Sequence, residues 1–124
     1  MSGVLWQRGE GALIFLAATT FVVIAAIYDP TIPWWALIVL FFAPDLGFLG
    51  YLAGPRVGAA VYNLLHLYGA GLVLLVWSAF FGPEALTSLA MLWMAHIGFD
   101  RMLGYGLKEP TAFADTHLGR IGRR

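Results

Sequence analysis

Cysteine is missing from the 124 residues, and charge is scarce: Asp, Glu, Lys and Arg make up 11%. A soluble domain usually carries about 25%. The first absence removes disulfides, thiolate metal sites and cysteine nucleophiles together. The second leaves too few charges to cover a water-facing surface. Seven basic residues balance seven acidic ones, so nothing draws the chain to nucleic acid. Internal repeats and low-complexity runs are also lacking, which fits a single domain over residues 1–124. No A-x-A-like site follows the first apolar run, so no cleavable leader is expected.

What is present is apolar. Hydrophobic residues make up 60% of the chain, and the mean hydropathy is +0.80. The charges fall at segment ends, which is the membrane pattern. Asp29-Pro30, Gly54-Pro55 and Gly82-Pro83 divide the chain into segments. The reading is an all-α integral membrane bundle of four transmembrane helices, over about residues 11–28, 33–53, 57–81 and 84–103. Residues 104–124 form a polar, basic tail. Pro44 should kink the second helix.

Four helices put both termini on one side, and the basic residues decide which. Arg8, Arg56, Arg101, Lys108, Arg120, Arg123 and Arg124 belong to the N-terminus, the second loop or the tail. The first and third loops carry only Asp29 and Glu84. The positive-inside rule makes the basic side cytoplasmic. The expected location is a bacterial inner membrane, crossed several times, with lipids as neighbours. A second copy or another membrane protein could also be a partner.

Topology turns spacing into depth. At 1.5 Å per residue, Asp45 lies about 12 Å, His66 about 15 Å, His96 about 10 Å and Asp100 about 5 Å from the cytoplasmic face. Three helices thus bring ionisable groups to one half of the bilayer. His96 and Asp100, four apart, share a helical face. Each group would be costly facing lipid, so all four should converge in the bundle interior. Two histidines and two carboxylates are a ligand set for zinc or manganese. A bound metal could generate hydroxide near neutral pH. Asp115 and His117, in the tail on the same side, could complete the shell or supply acid–base catalysis. Tail residues Phe113, Leu118 and Ile121 are apolar, so the segment is expected to turn back over the bundle mouth as a lid.

Other readings use the same residues. Two histidines on different helices could hold haem from both sides, or relay protons. Asp45 could simply pair with Arg56 or Arg101, and Asp100 with Arg101. His66 could bond a neighbouring backbone. A non-catalytic accessory subunit could use such groups only to specify packing.

Four strings carry a resemblance: Asp45-Leu46-Gly47-Phe48-Leu49-Gly50-Tyr51; Tyr62-Asn63 with His66; His96 through Tyr105-Gly106-Leu107-Lys108; and Phe113 through Gly119. Over about residues 10–120 the chain resembles the domain-of-unknown-function 4260 family of small bacterial membrane proteins. That resemblance implies no particular activity. A weaker one, to bacterial inner-membrane metal-dependent hydrolases, uses Pro44-Asp45, His96/Asp100 and Thr116-His117. It lacks their His-Arg followed by Thr-His-Ser cluster. It implies hydrolysis of a lipid-like substrate at the cytoplasmic leaflet.

Overall fold

The computed structural model of the chain describes residues 1–122. Its helices are α1 (Gly3–Tyr28), α2 (Trp34–Phe41), α3 (Pro55–Leu65), α4 (Tyr68–Phe81) and α5 (Glu84–Leu103), with a 3-10 helix, Ala43–Ala53, between α2 and α3. No strand is formed among the described residues; Lys108 and Thr116 make an isolated antiparallel bridge. Two helical stretches, Gly3–Tyr28 and Trp34–Ala53, are long and apolar enough to cross a membrane. Pro55–Leu65 and Tyr68–Phe81, bent by 45°, make a third if taken as one span. Large apolar side chains on these helices lack protein cover, as at Ile27 (71% exposed) and Phe80 (76%). Such surface suits a membrane protein.

Three boundaries differ from the sequence reading. The first helix begins at Gly3, not Gly11, because the Ser2 hydroxyl accepts from the Leu5 N–H at 3.4 Å and starts the helix early. Its polar first turns are held by the far end of the chain: the Arg8 Nε donates to the Met102 carbonyl at 3.0 Å. The second expected helix changes winding instead of merely kinking, passing from α to 3-10 geometry at Phe42 with Pro44 in its first turn.

The third expected helix is broken at His66. No proline causes the break; partners from α5 sustain it. The Trp93 indole donates to the Leu65 carbonyl at 2.7 Å, and the Arg101 guanidinium to the His66 carbonyl at 3.0 Å. These donors satisfy carbonyls that a continuous helix would have bonded.

α5 is the central element, with Ala90, Ala95 and Ile97 fully buried. It packs most extensively on α1, and small residues allow it. A Cβ on Gly98 would lie 2.7 Å from the Gly11 carbonyl oxygen, so only glycine permits the two backbones to meet there. α5 then ends at Gly104, whose φ of +92° is left-handed. Tyr105 N–H reaches the Asp100 carbonyl at 2.8 Å and Gly104 N–H the Arg101 carbonyl at 3.0 Å, a Schellman stop.

The 3-10 helix has three distinct rows, because residues three apart eclipse one another in this winding. Pro44, Gly47 and Gly50 form one row, whose glycines lie against α3: a Gly47 Cβ would lie 3.1 Å from the Tyr62 Cα. Leu46, Leu49 and Leu52 form an exposed apolar row. Asp45, Phe48 and Tyr51 form the third, which faces the site.

Candidate metal centre

Asp45, His66, His96 and Asp100 come together. One ligand atom from each lies within 4.8 Å of all the others. His66 Nε2 is 3.2 Å from His96 Nε2, 3.4 Å from Asp45 Oδ1 and 3.5 Å from Asp100 Oδ2. His96 Nε2 is 3.2 Å from Asp45 Oδ1 and 3.4 Å from Asp100 Oδ2. The 3-10 helix supplies Asp45, the α3 end supplies His66, and α5 supplies His96 and Asp100 one turn apart.

Each imidazole is held. His66 is fully buried, and its ring stacks on Tyr62 at 3.7 Å between centroids, with 12° between planes. Its Nδ1 lies 2.8 Å from the Tyr62 carbonyl. A carbonyl can only accept, so Nδ1 carries the proton. In the neutral ring, the Nε2 lone pair then points into the cluster. His96 is wedged by Phe41 and Phe42, at 5.3 and 6.3 Å between centroids. Its Nδ1 is buried with no hydrogen-bond partner among the described residues. The Tyr62 hydroxyl donates to Asp100 Oδ2 at 3.3 Å.

The arginine pairings weighed for the carboxylates are not what forms. Among the described residues neither Asp45 nor Asp100 has a lysine or arginine nitrogen within salt-bridge reach; their charged partners are the two histidines. Arg101, buried beside them, gives its N–H groups to the carbonyls of His66 and Tyr105. It is spent on holding the broken helix and the chain after α5.

A cavity of about 320 Å³ adjoins the carboxylates, lined by Asp45, Asp100, Tyr62, Lys108, Phe48 and Phe113 among others. The tail roofs it. Asn63 clamps the Lys108 backbone at both ends, Nδ2 donating to its carbonyl at 2.8 Å and Oδ1 accepting from its N–H at 2.6 Å. Phe113 packs on Phe48 and Tyr51, at 5.5 and 5.1 Å between centroids. The tail therefore does fold back over the mouth, through Lys108, Phe113 and Ile121.

Asp115 and His117 are not among the converging ligand atoms. Asp115 accepts from the Thr111 hydroxyl at 2.6 Å and pairs with Arg120. The Thr111 bond, with Arg120 assisting, holds its carboxyl below the usual carboxylate range. His117 Nδ1 accepts the Leu107 N–H at 2.8 Å, and its Nε2 meets Gln7 Oε1 at 3.1 Å. Burial, then the nearby Arg101 charge, lowers its pKa. Both residues are occupied in fixing the tail. Burial also lowers the pKa of Lys108, with the Asp100 charge acting the other way. Arg123 and Arg124 lie outside the described residues.

Tyr62 and Trp93 were not singled out for the site by sequence reasoning, and Arg101 was weighed only as an ion-pair partner of the carboxylates. Tyr62 had a signal: it precedes His66 by four residues, so the two share a helical face. Trp93 had none and Arg101 only its charge, because what they hold is a break that only the tertiary structure makes.

Among known protein families, one described as "Domain of unknown function (DUF4260)" matches residues 4–121, nearly the whole chain. No curated protein and no solved structure matches. The weaker likeness to membrane hydrolases gains nothing from these comparisons.

Proposed function

The chain belongs to the DUF4260 family, and on that premise we propose that it is a membrane metalloprotein, with Asp45, His66, His96 and Asp100 holding one divalent ion. The observation that carries this is the spacing of the donor atoms. A regular tetrahedron of ligands 2.0–2.1 Å from a zinc ion has edges of about 3.3–3.4 Å. Five of the six edges of this cluster measure 3.2–3.5 Å. Charge supports the same reading. Two imidazolium N–H groups cannot both occupy a 3.2 Å gap, so the histidines alone leave the two carboxylates under-compensated. A dication supplies what is missing. The backbone carbonyl on His66 Nδ1 and the Tyr62 hydroxyl on Asp100 are the outer partners that a metal site uses to orient its ligands.

The activity that suits this site is hydrolysis of an amphiphilic substrate entering from the cytoplasmic side. The cavity beside the carboxylates offers the approach, and its wall mixes Phe48 and Phe113 with Asp45, Asp100 and Lys108. Four protein donors fill a tetrahedral zinc, so water would have to enter as a fifth ligand, and an ion holding it there would lower its pKa toward about 7. Haem is less suited, because the two Nε2 atoms and two carboxylate oxygens point at one another with no slot for a macrocycle between them.

We read the bundle as four crossings with both termini inside. Arg8 meeting the end of α5 and Gln7 meeting His117 support this, since they bring the N-terminal turns of α1 beside the tail. The placement of the basic residues then orients that side to the cytoplasm. Metal analysis of purified protein tests the central proposal: one zinc or manganese per chain is expected after dialysis against a weak chelator. Metal-free protein that takes up neither ion would end it.

A further inference from the structure

The tail contributes a group that the metal reading leaves unused. Lys108 is 5% exposed, yet no carboxylate pairs with it among the described residues. Its Nζ donates to the Phe113 carbonyl at 2.8 Å. It sits 3.9 Å from the Phe113 ring centroid and 5.3 Å from that of Tyr62. A neutral carbonyl and two ring faces are modest partners for a buried ammonium, which has three N–H groups to donate. Lys108 also lines the same cavity as Asp45 and Asp100.

The charge count then has a consequence, which rests on the metal proposal. A dication cancels the two carboxylates, and the histidines as ligands are neutral. Lys108 is left as a net positive charge in a cavity of about 320 Å³ that also touches the ligands. Such a cavity favours an anion. We propose that it is the seat of a phosphate group, with one phosphate oxygen turned to the metal and another to the Lys108 ammonium. Phe48, Phe113 and Ile121, on the same wall, suit the apolar continuation of a phosphate ester more than a free ion. The clamp of Asn63 on the Lys108 backbone makes Lys108 a fixed element of the site and not a swinging surface chain.

Calorimetric titration of the zinc-loaded full chain in neutral detergent tests this, with inorganic phosphate, short-chain phosphatidic acid and the matching neutral diacylglycerol as probes. Phosphate and phosphatidic acid should bind and the diacylglycerol should not. Tighter binding of phosphatidic acid than of phosphate would identify a lipid headgroup as the source; equal binding would identify the free ion. Lys108→Met should weaken both anions by about tenfold or more, the loss expected for one charge-assisted contact, while keeping one zinc per chain. Lys108→Gln serves if the methionine variant does not fold, since zinc retention reports an intact site in either. If zinc binds but neither anion does, or if the anions bind both variants as tightly as wild type, the phosphate seat is wrong and the metal proposal stands. If zinc does not bind, both fall.

Discussion

Asp45→Asn separates a metal ligand from an ion-pair partner. Asparagine keeps the shape and an oxygen near the position of Oδ1, and removes the charge. Asp45 Oδ1 lies 3.4 and 3.2 Å from the two histidine nitrogens, so it belongs equally to an ion-pair network and to a coordination shell. The two readings place the damage differently. If Asp45 only pairs with the histidines, the variant is less stable with or without metal. If Asp45 is a ligand, most of the loss appears when zinc is present.

The size follows from linkage. Mutating outer partners of metal ligands typically costs about 10- to 100-fold in affinity, so losing an anionic ligand itself should cost about 100-fold or more. With free zinc buffered at about 100 times the wild-type dissociation constant, binding stabilises the wild type by about 2.7 kcal/mol. For a variant bound 100-fold more weakly, the same zinc sits at its dissociation constant, and the gain falls to about 0.4 kcal/mol. Thermal unfolding in detergent, with and without chelator-buffered zinc, reads both quantities on one instrument. A variant that retains the full zinc-dependent gain, or one destabilised equally in both conditions, would refute the assignment of Asp45 as a ligand.

Two further outcomes follow from the packing and the tail. Gly98→Ala should lower stability by about 1–3 kcal/mol, the usual range for overpacking. Its Cβ would meet the Gly11 carbonyl oxygen and the Phe15 nitrogen, both at 2.7 Å and both backbone; an unchanged thermal midpoint would show a looser crossing of α1 and α5. The pKa of His117 is lowered from 6.5 by burial. The folded tail therefore prefers the neutral ring, and the unfolded tail takes up the proton first. Docking should be complete above about pH 6.5 and weaken as pH falls toward the folded pKa, read as faster proteolysis after Lys108. His117→Gln should remove that pH step, and a step that survives the substitution belongs to another group.

The ionisable residues were legible in the sequence because the membrane makes each of them expensive. Asp45, His66, His96 and Asp100 stand out against apolar runs, and helical spacing already puts His96 and Asp100 on one face. Arg101 was misread for the same reason. It stands out as a charge, and pairing with a carboxylate is the obvious use of it. The structure uses it as a donor to two carbonyls instead, and the break at His66 that frees one of them has no proline or glycine at its centre. A break sustained by partners from another helix leaves no local mark.

The second segment did leave a mark, and its winding bears on where Asp45 is placed. Pro44-Asp45-Leu46, Gly47-Phe48-Leu49 and Gly50-Tyr51-Leu52 repeat a compact, a polar or aromatic, and an exposed apolar residue with a period of three. Three residues per turn is the 3-10 period, and an α-helix would smear those rows around its circumference. The rise matters as well. Eight residues from Ala53 back to Asp45 cover about 12 Å in an α-helix but about 16 Å at the 3-10 rise of 2.0 Å. His66, ten residues along α-helical chain from Arg56, lies about 15 Å from the same turn. Along the helix axes the tighter winding therefore sets Asp45 about as far from the Gly54 turn as His66, where α-helical winding would leave it about 3 Å short. The glycines at 47 and 50 let the segment lie close against α3 while it is wound this way. The unusual geometry of this segment, and the short residues that permit it, are what carry Asp45 to His66, His96 and Asp100.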